Sequence, residues 1–454
     1  MEKLLPIAAI ENRARAILGL EDLERQPYAL PVRVEHLWRA ENFAPRVPHT
    51  ASLLLPFGRA PDIRRLGQSI AAIVGRHEAL HSRLAVEKGR ATLVPQNTTA
   101  KELPLVRASQ TDIATYQEKK PDSPLTSFFA TPIDLFDQTG FRCRAFEDEE
   151  GNVFLGILMH HYFGDAWSSQ ILRREIEAVY EAGSSAALAP VTQYSGYALF
   201  QRRTLEKNLD RYLNYWHQRL KDAPASEMPF DQPGDDDFLG RAYFLIENDV
   251  MGRLTKIARQ ERVALGVICF SGFQLALAKW CGVREMVSAT QSADRIRPQF
   301  RGTVGYLLSA IAIHSRLRKD MPFRQFLLEF AREVYDGIAH QELPCELYDE
   351  IFCPPQPFCA PRFTFVPRQE SFFVGDTEGA PPAINGIFRA SDVRKISVYR
   401  DLHLLVLEYR EALLCRVIYN KQLSFDKIAS LAETYRQVLE TVSIDPNVSL
   451  GGLL

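Results

Sequence analysis

The chain has 454 residues, a formal net charge of −2, 46% hydrophobic residues and 24% charged residues. These proportions exclude a disordered, collagenous or disulfide-stapled chain, and the near-neutral charge offers no clustered basic face for a nucleic-acid partner. At about 100–200 residues per domain, the length allows roughly two to four domains.

The seven cysteines, Cys143, Cys269, Cys281, Cys345, Cys353, Cys359 and Cys415, are odd in number and irregularly spaced. Cys353 and Cys359 flank PPQPF, but no second Cys or His pair stands nearby, so reduced thiols are expected rather than a zinc site or a disulfide framework. The N-terminal run MEKLLPIAAIENRARAI is short and flanked by Glu2 and Glu11, unlike a secretory signal. No stretch approaches the about 20 apolar residues of a membrane span. The expectation is a cytoplasmic, soluble protein with no membrane and no nucleic-acid partner.

Residues 1–27 read as a loosely attached helical lead-in. Residues 62–84 carry Leu66, Ile70, Ile73 and Val74 at helical spacing and predict an amphipathic helix on a sheet. Residues 91–96 and 141–148 read as strands, and the near-continuous apolar run NVFLGILM (152–159) as a central strand. A helix is predicted over 167–183, with Ile171, Leu172, Ile176, Val179 and Tyr180 on one side and Gly183 ending it. The small, polar and proline-containing 184–196 reads as a linker between an N-terminal half, 1–183, and a C-terminal half, 197–454.

The second half opens on a long helical pattern, 197–220, followed by an acidic surface loop, 231–240. A mostly apolar helix is predicted over 264–282, then strands over 285–290 and 304–317, and a helix over 323–340. Residues 361–367 and 403–420 read as strands, the latter a hairpin about Glu411, and 425–442 as the last helix. Alternating helices and strands in both halves predict an α/β fold.

The stretch with chemical content is MHHYFGDAWS (159–168). Side chains alternate along a strand, so His160 and His161 point opposite ways and only one can serve a given site. His161 and Asp165 share parity in a strand and a face in a helix, which makes them the natural pair. The adjacent histidines lack the i, i+2 or i, i+4 spacing of metal ligands. A histidine can take a proton from an attacking amine or alcohol near neutral pH, and a nearby carboxylate can orient it or hold the loop. There is no G-x-S-x-G elbow, no phosphate loop and no dinucleotide fingerprint. Such a chain needs a substrate that arrives activated, such as a thioester. Two histidines and an aspartate between a buried strand and a helix favour a functional site over a structural pair.

HHYFGDAWS resembles the H-H-x-x-x-D-G-[WF]-S motif of the condensation domains of non-ribosomal peptide synthetases, within a wider H-H-x-x-x-D acyltransferase superfamily. Other stretches agree in order. GRHEALHSRL (75–84) is similar to R-H-E-x-L-R-T-x-F, YWHQRLKDAP (215–224) to Y-W-x-x-x-L-x-G-x-P, and ATQSADR (289–295) to T-P-x-A-G-R. VGYLLSAIAI (304–313) is similar to I-G-x-F-V-N-T, AHQELPCELY (339–348) to H-Q-x-x-P-F-E, and FTFVPRQ (363–369) to M-F-x-x-Q-N. The resemblance spans nearly the whole chain.

That resemblance implies two similar halves of the chloramphenicol-acetyltransferase type, arranged as a V with a tunnel between them. It implies transfer of an acyl or aminoacyl group from a carrier-protein phosphopantetheine thioester to an amine or alcohol, forming an amide or ester. No tightly bound cofactor is expected, since the phosphopantetheine arm belongs to an acyl or peptidyl carrier protein. The acceptor would be a small amine or alcohol, or a group on a second carrier. His161 would be catalytic. His160, Asp165, Ala166 and Arg295 would support the motif, with Asp165 holding the loop through Arg295. Trp167 and Ser309 are candidate tunnel contacts, although Trp167 reads as a core anchor opening the helix ahead of a substrate contact.

Three positions depart from the pattern: Ala166 replaces a glycine, Ser309 an asparagine and Cys345 a phenylalanine, which points to an unusual acceptor. The W-S order and the retained histidines set the chain apart from epimerisation and cyclisation domains. With no carrier or adenylation domain after SIDPNVSLGGLL, the expectation is a freestanding enzyme or a domain excised from a larger synthetase. Alternatives are an alcohol O-acyltransferase that draws on CoA or a carrier, and a non-catalytic domain that recruits other synthetase proteins. His314 and His340 are expected to serve packing or surface structure, and His77 and Glu78 to belong to a structural helix of the first half.

Overall fold

The computed structural model describes residues 7–20, 23, 28–40, 50–97, 103–115, 123–224, 228–233, 238–352, 361–367, 386–394, 401–409 and 412–454. Its strands form two larger sheets and a hairpin. The first half contributes β1 (Thr50–Arg59), β2 (Ser82–Glu87), β3 (Arg90–Pro95), β4 (Leu105–Arg107), β5 (Phe141–Glu147) and β6 (Asn152–His160). A four-stranded sheet runs β1-β6-β5-β4, and β2 and β3 pair by themselves. β6 is antiparallel to both β1 and β5. It is buried from Leu155 to His160, as its unbroken apolar run requires of a strand covered on both faces.

The second half contributes β7 (Phe238–Ile246), β8 (Glu285–Ser292), β9 (Ser309–Arg316), β10 (Pro361–Val366), β11 (Phe388–Arg394), β12 (Leu402–Tyr409) and β13 (Ala412–Asn420). They form a seven-stranded mixed sheet in the order β11-β7-β13-β12-β10-β8-β9. Only β10 runs parallel to its neighbours, β12 and β8. β12 and β13 are the predicted antiparallel pair; Glu411 itself lies outside the described residues, as do Cys353 and Cys359.

The two largest apolar cores correspond to the two larger sheets, and a small third cluster of Tyr243, Leu405, Leu407 and Leu414 lies on β7, β12 and β13. The helix Tyr194–Leu220 crosses between the two largest: Tyr194 and Tyr197 belong to the first core, and Leu205 through Leu220 to the second. It starts at Tyr194, inside the stretch expected to be linker, because the Tyr194 ring is fully buried and fixes the backbone there. Asn208 breaks the helical dihedrals (φ −125°, ψ 22°) and turns its amide back to the Thr204 carbonyl. The change of direction lets one helix serve both cores.

Several expectations require correction. The lead-in is not loosely attached: Ile10, Ala14 and Leu18 of the helix Ile7–Leu18 are fully buried, in the second core. The helix expected over 62–84 ends at Arg76, where His77 turns extended (φ −112°, ψ 107°) and the chain leads into β2. The strand expected from 304 begins at Ser309. The acidic loop over 231–240 gives way to β7 at Phe238.

Among the described residues, no single helix is long and apolar enough to cross a membrane. The very apolar helix Leu265–Cys281 is a core helix, buried from Val267 to Ala278 and packed against Phe425–Ile444.

Candidate active site at the seam of the two cores

β6 delivers the two histidines to the point where it leaves the sheet. His160 is the last strand residue, and its backbone N–H still donates to the Gly140 carbonyl at 2.9 Å. Its ring is buried and meets Tyr162 edge-on at 4.5 Å. His161 begins the turn and is half-buried.

The ring hydrogen bonds give the two imidazoles different tautomers. A carbonyl can only accept, so His161 Nδ1 donates to the Gly164 carbonyl at 3.1 Å. Its lone pair therefore sits on Nε2 in the neutral ring. His160 Nδ1 instead accepts from the Tyr162 N–H at 3.2 Å, which places the proton on Nε2. Of the two, His161 has the basic nitrogen at the far end of its ring.

Asp165 caps the helix Ala166–Ala182 and is completely buried. Its Oδ1 accepts from the Ser168 N–H at 2.8 Å, in the ordinary N-cap pattern. At the other end, Gly183 closes the helix at φ 73°. Arg295 Nη2 reaches both Asp165 oxygens, at 3.0 and 3.1 Å, and Leu307 N–H donates to Oδ2 at 3.1 Å. Arg295 Nη1 donates to the Phe300 and Thr303 carbonyls at 3.0 and 2.7 Å. Ser168 Oγ lies 2.8 Å from Asp165 Oδ1 and accepts from Gly305 N–H at 3.1 Å. The carboxylate thus ties the start of one helix to the 295–307 segment of the other half.

Sequence reasoning missed the residues that hold this segment. Gly305 takes φ +157°, and a Cβ there would stand 2.2 Å from the Tyr194 ring. The Tyr194 hydroxyl donates to the Tyr162 carbonyl at 2.8 Å, with the Tyr306 carbonyl 3.4 Å away. Burial pushes the Tyr194 hydroxyl well above its ordinary pKa, so it stays a donor. Tyr306 meets the His161 ring edge-on at 6.1 Å. The glycine in VGYLL was the available signal for an irregular segment.

The remaining candidates occupy distinct places. Ala166 is the first helical residue and half-buried, directly beside Asp165. Trp167 is 39% exposed rather than a core anchor; its Nε1 donates to the Arg301 carbonyl at 3.0 Å, and the Arg295 guanidinium lies 5.7 Å from its ring. Ser309 is buried at the start of β9 and donates to the Gln341 carbonyl.

A second polar cluster adjoins Arg295. Asp294, in the left-handed region at φ 43°, accepts from the Tyr197 hydroxyl at 2.6 Å and from the Gln341 amide at 2.8 Å. Burial, with the Glu342 charge adding to it, raises the Asp294 carboxyl to about 6. Arg297 pairs with both Asp294 and Glu342.

Three histidines and Glu78, named from the sequence as structural, have partners of their own. His77 Nε2 lies 2.8 Å from Glu175, while the Glu78 carboxylate accepts from Ser195 N–H at the start of the bridging helix. His314 Nε2 lies 2.8 Å from Glu285, and His340 stacks on Tyr215 at 3.6 Å. Among the described residues, no group of three or more His, Cys, Asp and Glu is placed to hold a metal, and no described cysteine forms a disulfide.

The family model for the condensation domain matches residues 49–453. The chain belongs to the condensation-domain family. This family forms amide or ester bonds in peptide and polyketide synthetase systems. Among curated relatives, this condensation domain is 28% identical to phosphinothricin tripeptide synthetase PhsC of Streptomyces viridochromogenes over 71% of the chain. It is 25% identical to chondramide synthase cmdD of Chondromyces crocatus over 86% of the chain. The matches span only 31% and 10% of those relatives.

Among solved structures, the X-domain from teicoplanin biosynthesis superposes with a TM-score of 0.74 at 18% identity, covering 93% of this chain and 96% of that one. SgcC5 from Streptomyces globisporus gives 0.74 at 17% identity, covering 93% and 100%. At these identities the superpositions establish a shared fold.

Proposed function

We propose that this condensation domain transfers an acyl or aminoacyl group from a carrier-protein phosphopantetheine thioester to an amine or alcohol, forming an amide or ester. The observation that carries the reading is the hydrogen bond between His161 Nδ1 and the Gly164 carbonyl. With Nδ1–H anchored on Gly164, Nε2 is the basic nitrogen, on a half-buried ring that meets Tyr306 of the other half. That nitrogen would take the proton as the nucleophile attacks the thioester carbon. Collapse of the tetrahedral intermediate would expel the pantetheine thiolate, which recovers the proton. No cofactor of the chain's own takes part; the thioester brings the activation.

In this reading Asp165 and Arg295 are positioning residues. Their buried pair holds the turn that presents His161, and the carboxylate's contacts are with Ser168, Arg295 and Leu307. The two halves would form a V around a tunnel. A carrier protein would deliver the donor arm on one side, and the acceptor, free or on a second carrier, would enter on the other. Trp167 and Ser309 are proposed to border that passage, and 1–183 and 197–454 to be its two walls.

The superposition on an X-domain, a protein also solved in complex with OxyB, favours one second reading: a non-catalytic domain that recruits a partner protein. His161→Ala separates the two. It abolishes product formation in a transferase and leaves partner binding intact in a recruiter.

A further inference from the structure

Arg33 stands near the start of the helix Val32–Ala40, outside every motif above, with its side chain 1% exposed. Its Nη2 donates to Glu346 Oε1 at 2.7 Å. Arg362 Nη1 donates to the same oxygen at 2.9 Å, so one carboxylate is shared between two guanidinia. The Nε and Nη1 atoms of Arg33 are buried and meet no acceptor among the described residues. A guanidinium carries five N–H donors and cannot lose its charge. Buried polar groups are nearly always paired, and a guanidinium with two donors left over calls for an explanation, of which a bound acceptor is one.

The position of these donors gives them meaning. The Arg33 guanidinium lies over the Tyr306 ring, 5.3 Å from its centroid. The same ring meets His161 at 6.1 Å. A group bound at Arg33 is therefore separated from the reacting imidazole by one aromatic side chain.

We propose that Arg33 recognises a carboxylate on the substrate and selects acidic substrates over their neutral analogues. The inference rests on the reading of His161 as the acyl-transfer centre. A carboxylate supplies acceptor oxygens for the Arg33 Nε and Nη1 donors, and a charged acceptor binds a guanidinium more strongly than a neutral one. A neutral amide offers only the weaker acceptor and a methyl group none. Sites built to pair a polar substrate group discriminate strongly against analogues without it, because their own groups are then left unpaired. The carboxylate can belong to the acyl donor or to the nucleophile.

The test uses two matched pairs on the full chain at constant ionic strength: succinyl-pantetheine against butyryl-pantetheine, and alanine against alaninamide. The expected result is a rise in Tm with the carboxylate-bearing member of one pair and none with its neutral partner, and the responding pair identifies the source. Product formation should favour the same member by about tenfold or more. Arg33→Met should abolish the discrimination, and Arg33→Lys, which keeps the charge but loses the planar fork, should reduce it. If Arg33→Met does not fold, Arg33→Lys, folded by its unliganded Tm, decides by whether discrimination falls. No discrimination by the wild type in either pair, or discrimination undiminished in a folded variant, would overturn the assignment. Discrimination in binding without any product would leave Arg33 standing and contradict acyl transfer; product without discrimination would do the reverse.

Discussion

A single nitrogen of Arg295 contacts both carboxylate oxygens of Asp165, at 3.0 and 3.1 Å, with the two side chains 2% and 0% exposed. The pair joins the capped end of Ala166–Ala182 to the segment that follows β8. Removing one partner strands the other as a buried charge, at a cost of roughly 3–5 kcal/mol. Asp165→Asn and Arg295→Met should each lower stability by about that amount in urea unfolding. The double variant should lose less than the sum of the two, as coupled neighbours do. Equal and additive losses would mean that the contact carries no coupling.

Asp294 should leave a signature in the pH dependence of stability. Burial, reinforced by Glu342, lifts its carboxyl to about 6, above its ordinary value of 3.8. Between those values the folded state holds a proton that the unfolded state has released. Its stabilising contribution is therefore full below about 4 and is lost as pH rises through about 6. The swing is on the order of 3 kcal/mol. Asp294→Asn keeps a side chain that tolerates positive φ. Unfolding measured from pH 4 to 7 should show the wild type losing ground to the variant across that window. Parallel profiles would refute the assignment.

Glu346 works in the opposite sense. Burial alone would raise its carboxyl, but Arg33 and Arg362 outweigh burial and hold it down at about 2. Its contribution is present above the ordinary value of 4.5 and is lost as pH falls from there toward 2. Glu346→Gln should remove that acid limb and destabilise the protein at neutral pH, because two buried guanidinia lose their shared partner. An unchanged acid limb would place the acid sensitivity elsewhere.

Gly305 offers a steric test of the segment opposite His161. An alanine there would put a methyl group into the Tyr194 ring. Gly305→Ala should destabilise by about 1–3 kcal/mol, the usual cost of overpacking. Truncating the ring in Gly305→Ala/Tyr194→Leu should recover part of that loss. No recovery would mean that the backbone conformation, not the ring, demands glycine.

What was legible in the sequence followed from local pattern. The unbroken apolar run placed β6 at the centre of its sheet, and Asp165 and Gly183 bracketed the next helix as cap residues do. What was missed depended on long-range contacts. β1 carries Pro56, which disguised a strand that sits at a sheet edge, where proline is tolerated. β7 hid behind an acidic stretch and Gly240, whose missing side chain leaves room for Tyr419. VGYLL looked like the start of a strand, yet Leu307 N–H turns to Asp165 and Gly305 N–H to Ser168 instead of joining a ladder. Arg33 gave no local signal, because only the fold sets it over Tyr306.

The most direct measurement is product formation by mass spectrometry from acyl thioesters, on pantetheine and on carrier proteins, with panels of amines and alcohols. Wild type and His161→Ala are compared, with unchanged Tm as the control for folding. Amide or ester product is expected from the wild type and none above background from His161→Ala. Equal product from both would remove His161 from the chemistry, and no product from either, with tight carrier binding retained, would contradict acyl transfer and favour recruitment.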